Sequence, residues 1–112
     1  MKLVLTGGRH YTDTNMVYDI LDQFKPEYIY VGDCPTGLDS IVKRYAEEYD
    51  LPHEVFKANW SKEGLKAGPL RNRRMLESAG DVLVIAFPGG KGTEDTVKQA
   101  KLMNMMVLRV EE

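Results

Sequence analysis

The residues best suited to chemistry stand in three clusters. Near the C-terminal end, Pro88, Gly89, Gly90, Lys91, Gly92 and Thr93 run straight into two carboxylates, Glu94 and Asp95. Midway, Arg71, Asn72 and Arg73 follow a basic stretch. Near the start, Gly7, Gly8, Arg9 and Tyr11 close a short apolar run. Glycine lets backbone approach a ligand and adopt positive φ. A helix N-terminus offers N–H groups and partial positive charge to an anion. Arginine grips phosphate with two parallel N–H bonds. The chemistry these residues suggest is therefore the holding of a phosphate-bearing small molecule. Glu94 and Asp95 could add general-base chemistry, or could simply favour the helix dipole.

Two familiar phosphate motifs fail. A Walker A loop would need glycine where Ile85 stands and a hydroxyl where Gly92 stands; the dinucleotide fingerprint meets Asp95 in place of its last glycine. The chain is thus neither an ordinary ATPase nor an ordinary NAD enzyme, and no cofactor is expected. His10, His53 and Cys34 are too scattered for a metal site, so none is expected either.

Each remaining candidate has two readings. Arg9 could reach a phosphate and Tyr11 could stack on a base, or both could simply cover the loop. Gly32, Thr36, Gly37 and Asp39 form a second glycine turn opening a helix. There Thr36 is a natural N-cap, and Asp39 either favours the dipole, or bonds a ribose hydroxyl or pins the neighbouring loop. Trp60 could cover a base or plug the core beneath its loop. Arg71 and Asn72 could hold ligand; a cation at a helix start opposes the dipole, so these positions need another reason. Cys34 lacks a partnered base.

Composition narrows the class. The chain has 112 residues, 43% hydrophobic and 29% charged, which fits one globular domain spanning 1–112. A lone cysteine and no leader pattern at the start make the cytoplasm the expected compartment. Apolar runs are too short to span a membrane. The net charge of −2 argues against a nucleic-acid partner. Yet Lys57 to Arg74 contains six bases and only Glu63 as an acid, a local positive patch suited to a small anion.

The elements that must position these clusters alternate. Apolar runs at 3–5, 28–31, 53–58, 82–87 and 105–110 read as five strands. Between them, helical spacing appears over Met16–Phe24, Leu38–Tyr49, Arg71–Ala79 (with Pro69 at its start) and from Gly92-Thr93 to Met103. Alternation of this kind predicts an α/β fold with a parallel sheet, three layers deep, helices on both faces. Glycine-rich loops follow strands one, two and four. A Rossmann-like order 3-2-1-4-5 sets those strands side by side, whereas a flavodoxin-like order splits them. The first is preferred, with the ligand at the switch point between strands one and four.

Four stretches, "GGRHYTD", "GDCPTGLDSIVKRYA", "ANWSKEGLKAGPLRNRRML" and "AFPGGKGTEDTVKQA", together resemble the SLOG superfamily (Smf/DprA–LOG, Rossmann-like). The nearest likeness is to its small YspA/cpYpsA-related family of bacteria and phages. His10, Val42 and Asn59 depart mildly from that family's pattern. The resemblance implies a nucleotide or nucleotide-derived ligand, ADP-ribose-like or a nucleoside monophosphate, bound as a sensor or accessory module. It also implies an alternative, since LOG enzymes cleave the base from nucleoside 5′-monophosphates with a P-G-G-x-G-T-x-x-E motif and an upstream arginine. Here Pro88, Gly89, Gly90, Gly92 and Thr93 match, and Arg73 fills the arginine position. Thr96 replaces the glutamate, leaving Glu94 or Asp95 as its only neighbours able to substitute. DNA binding is a third reading, opposed by the net charge. Paired methionines and exposed apolar helix faces allow a homodimer.

Overall fold

The computed structural model describes residues 1–111. Its strands are β1 (Lys2–Thr6), β2 (Tyr28–Gly32), β3 (His53–Phe56), β4 (Leu83–Ala86) and β5 (Met106–Arg109). All pair in parallel, in the order β3-β2-β1-β4-β5. The helices are α1 (Thr14–Phe24), α2 (Gly37–Glu48), α3 (Trp60–Glu63), α4 (Ala67–Ala79) and α5 (Lys91–Leu102). The fold is the Rossmann-like α/β arrangement that the alternating pattern predicts.

Side chains alternate across each strand, and this splits the core into two layers. Leu3, Leu5, Ile29, Val31 and Ile85 pack beneath α1 and α2, against Val17, Leu21, Leu38 and Val42. Val4, Tyr30 and Val84 face the other way, against Met75, Leu76 and Ala79 of α4 and Ala100 of α5. Each fully buried leucine or isoleucine contributes roughly 1.5–3 kcal/mol. β1 and β4 are central, which is why "LVL" and "LVIA" are apolar on both faces.

Element ends differ from the sequence reading for local reasons. β3 stops at Phe56 because the Ala58 N–H turns to the Asp33 carboxylate at 3.3 Å. The polar loop after β3 contains a fifth, short helix, α3, started by Asn59, whose side chain accepts from the Lys62 N–H at 3.2 Å. A 3₁₀ turn, Gly64–Lys66, leads into α4, which begins two residues before Pro69. Proline is harmless there, since first-turn N–H groups have no intrahelical partner. At α1, the Asp13 carboxylate caps the Met16 N–H, and Lys25 in the left-handed region followed by Pro26 ends the helix.

β1 leads to β2 on one side, while the chain crosses back to β4 on the other. The switch point therefore lies between β1 and β4. Gly37 anchors its rim. At φ +70° it begins α2 pressed on the β1 loop, and a Cβ there would collide with Gly8 O and Arg9 backbone. Gly37→Ala is expected to destabilise the protein by about 2 kcal/mol or more. An unchanged urea midpoint would contradict this packing.

Candidate functional site

Three loops meet at the C-terminal edge of the sheet. The β1 loop and the β4 loop touch directly: the Gly8 N–H donates to Pro88 O at 2.9 Å. Neither side could carry a methyl group. A Cβ on Gly8 would sit 2.9 Å from Gly89 Cα, and one on Gly89 would sit 2.6 Å from Gly8 N. Gly7 lies under Leu38, and Tyr11 packs its ring on Phe87 at 5.4 Å between centroids.

The two helix N-termini at this rim have different fates. At α2, the Leu38 N–H already donates to Gly8 O at 3.1 Å, and the Thr36 hydroxyl donates to Arg9 O at 2.9 Å. Thr36 holds the N-cap position, but its side chain ties the β1 loop instead of capping the helix. At α5, the Gly90 N-cap supplies no side chain, and the first intrahelical bond is Glu94 N–H to Gly90 O. The N–H groups of Lys91, Gly92 and Thr93 precede it, with no acceptor among the described residues. Gly90 and Gly92 have nothing within 4 Å of their Cβ positions, so packing does not require them to be glycine. Thr93 is buried, its hydroxyl against Gly89. Arg9 and Lys91 are exposed and form no ion pair among the described residues.

Behind the loops runs a polar chain from β2 to α5. Arg71 Nη1 donates to Asp33 at 2.9 Å and to Phe56 O at 3.2 Å; its Nε donates to Asn72 Oδ1 at 2.9 Å. Buried Asn72 passes the chain on, donating to Asp95 Oδ2 at 3.0 Å and to Gly92 O at 3.4 Å. Gln99 completes it, reaching Asp95 Oδ2 at 2.8 Å and Pro69 O at 3.0 Å. Gly32 leaves the space that Arg71 and Asp39 fill. Arg71 and Asn72 are thereby structural ties, with Asn72 buried and the Arg71 side chain only 15% exposed. Asp33, which is not among the site residues expected from the sequence, is a central member. Its one sequence signal is a carboxylate directly after β2, and its partner Arg71 lies 38 residues away.

The three catalytic candidates do not converge. Arg73 lies on the solvent face of α4, 3.5 Å from Glu77. Both Glu94 oxygens accept from Arg109, at 2.8 and 3.0 Å, and this bond holds the Glu94 carboxyl below its usual range. Asp95 Oδ2 is taken by Asn72 and Gln99. Thr96, at the position of the motif glutamate, is buried with its hydroxyl donating to Gly92 O at 3.2 Å. A cavity of about 290 Å³ opens on the β5 flank of the glycine loop, but the Glu94–Arg109 pair walls it. Arg109, the cation among the described residues lining this cavity, is thus already held, and the rim toward the β1 loop, with Arg9, suits an anion better.

Trp60 is 58% exposed, so it does not plug the core. Asp39 is buried, accepting the Cys34 N–H at 3.1 Å. Burial pushes its carboxyl up to about 6; the Cys34 N–H and the Arg71 charge pull the other way, and Asp33 adds to the rise.

Fold and site together define a Rossmann-like α/β protein with glycine loops joined at its switch point. The family model of the YspA, cpYpsA-related SLOG family matches residues 1–62, from β1 into α3. A curated relative, the gene 61 protein of Mycobacterium phage D29, is 30% identical over 118 aligned residues, covering 96% of this chain and 94% of the relative. The chain belongs to the YspA, cpYpsA-related SLOG family. Membership suggests a nucleotide-related ligand or a hydrolase activity without specifying either. Among the described residues no helix is long and apolar enough to cross a membrane.

The Asp39 environment yields a signed prediction. Its folded pKa lies above the ordinary 3.8. The neutral form is thus favoured by folding, and that contribution is complete below about pH 4 and lost as pH rises through about 6. Asp39→Asn keeps an acceptor for Cys34 but cannot ionise. Relative to wild type it should gain stability between pH 4 and 7, by up to about 3 kcal/mol. Urea unfolding at several pH values measures this; parallel stability curves for the two proteins would refute it.

Proposed function

We propose that this protein binds a nucleotide-derived anion, ADP-ribose-like or a nucleoside monophosphate, without cleaving it, and serves as a sensor or accessory module. The observation that carries the reading is the α5 N-terminus. It offers free N–H groups flanked by two glycines that nothing inside the protein requires. A ligand phosphate seated against Gly90–Thr93 gives those glycines a reason, since it needs the backbone bare. Arg9 and Lys91 supply positive charge beside it. Gly8 and Gly89 hold the two loops at fixed spacing, so little ordering remains to oppose binding.

Hydrolysis is less well supported. An N-glycosidic cleavage of the LOG type would draw on Arg73 with Glu94 or Asp95, and each of these already has partners that face elsewhere. Asp39 lies under the β2 loop with its pKa raised to about 6, but its bonded position beneath Cys34 favours a structural role.

Incubation with AMP, IMP and ADP-ribose tests both statements. The expected result is a rise in Tm for at least one of them, by about 10 °C at a hundredfold excess over Kd, with no free base released. Base release would overturn the non-hydrolytic reading. No shift across a broad nucleotide set would overturn binding itself. Arg9→Ala should weaken the responding ligand about tenfold, about 1.4 kcal/mol, while leaving the Tm of the free protein unchanged. Equal affinity would remove Arg9 from the site.

A further inference from the structure

Trp60 is the only tryptophan in the chain, and the fold gives it no interior task. Neither α3 nor the 3₁₀ turn after it contains a buried residue. The indole forms no ring pair among the described residues. Its place is nevertheless fixed. Asn59 caps α3 through the Lys62 N–H and also accepts from Ser61, which sets Trp60 as the first helical residue. One edge of the ring rests on Gly68 in the first turn of α4. A Cβ there would come within 3.3 Å of Cη2 and 3.8 Å of Cζ2.

Gly68 also locates the ring relative to the phosphate-facing turn. Asn72 stands one helical turn further along α4, and its amide reaches Gly92 O at 3.4 Å. One turn of α4 and one hydrogen bond thus connect the indole floor to the first turn of α5. The stretch that carries Trp60 is positive: Lys57, Lys62 and Lys66 form no ion pair among the described residues, while Glu63, the one acid between Lys57 and Arg74, is held by Arg74 at 3.4 Å.

Resting on the phosphate reading above, we propose that Trp60 is the stacking platform for the ligand's aromatic base. The ligand class is then a base-bearing nucleotide, selected over sugar phosphates and inorganic phosphate. Stacking of a base on an aromatic side chain is favourable for any base, because each has a π face. The platform thus selects for the presence of a base more than for its identity.

A single tryptophan makes the test direct, because all indole emission comes from Trp60. AMP, ADP-ribose and base-free ribose 5-phosphate are titrated while emission and Tm are both followed. The expected result is quenching by the nucleotides in step with the rise in Tm. Ribose 5-phosphate should bind about tenfold or more weakly, with unchanged emission. Trp60→Ala should weaken the nucleotides about tenfold and leave ribose 5-phosphate as in wild type; Trp60→Phe should restore most of the loss. A full nucleotide-induced Tm rise with unchanged emission would overturn the platform and leave the phosphate reading standing. So would a Trp60→Ala variant that discriminates AMP from ribose 5-phosphate as well as wild type. No Tm rise with any of the three would remove the phosphate reading, and the platform with it.

Discussion

The C-terminal edge of this sheet depends on one backbone contact, the Gly8 N–H donating to Pro88 O at 2.9 Å. It brings the loops of the two central strands closer than any side chain would permit. The contact then propagates. With its N–H turned to Pro88, Gly8 presents its carbonyl to the α2 N-terminus and accepts the Leu38 N–H. Thr36 adds a second tie to the same loop through Arg9 O. The start of α2 is thereby tied to the β1 loop. The α5 N-terminus, on the other side of the contact, stays open.

A second constraint works from behind. Asp33, Arg71, Asn72, Asp95 and Gln99 form a chain of hydrogen bonds that crosses from β2 through α4 to α5. Such chains fix geometry because leaving any buried member unpaired is costly. The one ion pair in it, Arg71 with Asp33, has side chains only 15% and 31% exposed, so it is screened little by solvent. Its consequence for chemistry is restrictive. The acid best placed near the glycine turn, Asp95, is committed to holding two helices together, and Glu94 is committed to Arg109. A loop whose sequence resembles a hydrolase motif as far as Thr93 thus becomes, in three dimensions, a turn with its carboxylates engaged elsewhere.

Much of the fold was legible in the sequence because it rests on local signals. Alternating short apolar runs and helical stripes gave five parallel strands, and glycines after strands one, two and four pointed to the observed order. The helix α3 was not legible, since four residues are too few to show a period; its start depends on a single Asn59 side chain. The site was legible by residue type and less so by role. Arg71 and Asn72 stood out as polar residues opening a helix, yet nothing local indicated that Asp33 and Asp95 would take their hydrogen bonds. Glu94 looked free because Arg109 lies fifteen residues on, in an edge strand.

By itself the sequence determined the layers, the strand directions and the glycine turns. Those follow from periodicity and from backbone freedom, which act over a few residues. Only the tertiary structure decided that the start of α2 is tied to the β1 loop, which carboxylates are spent on protein partners and that Trp60 faces solvent. Each of these depends on contacts between residues far apart in the chain, and such contacts exist only once the sheet has set its loops side by side.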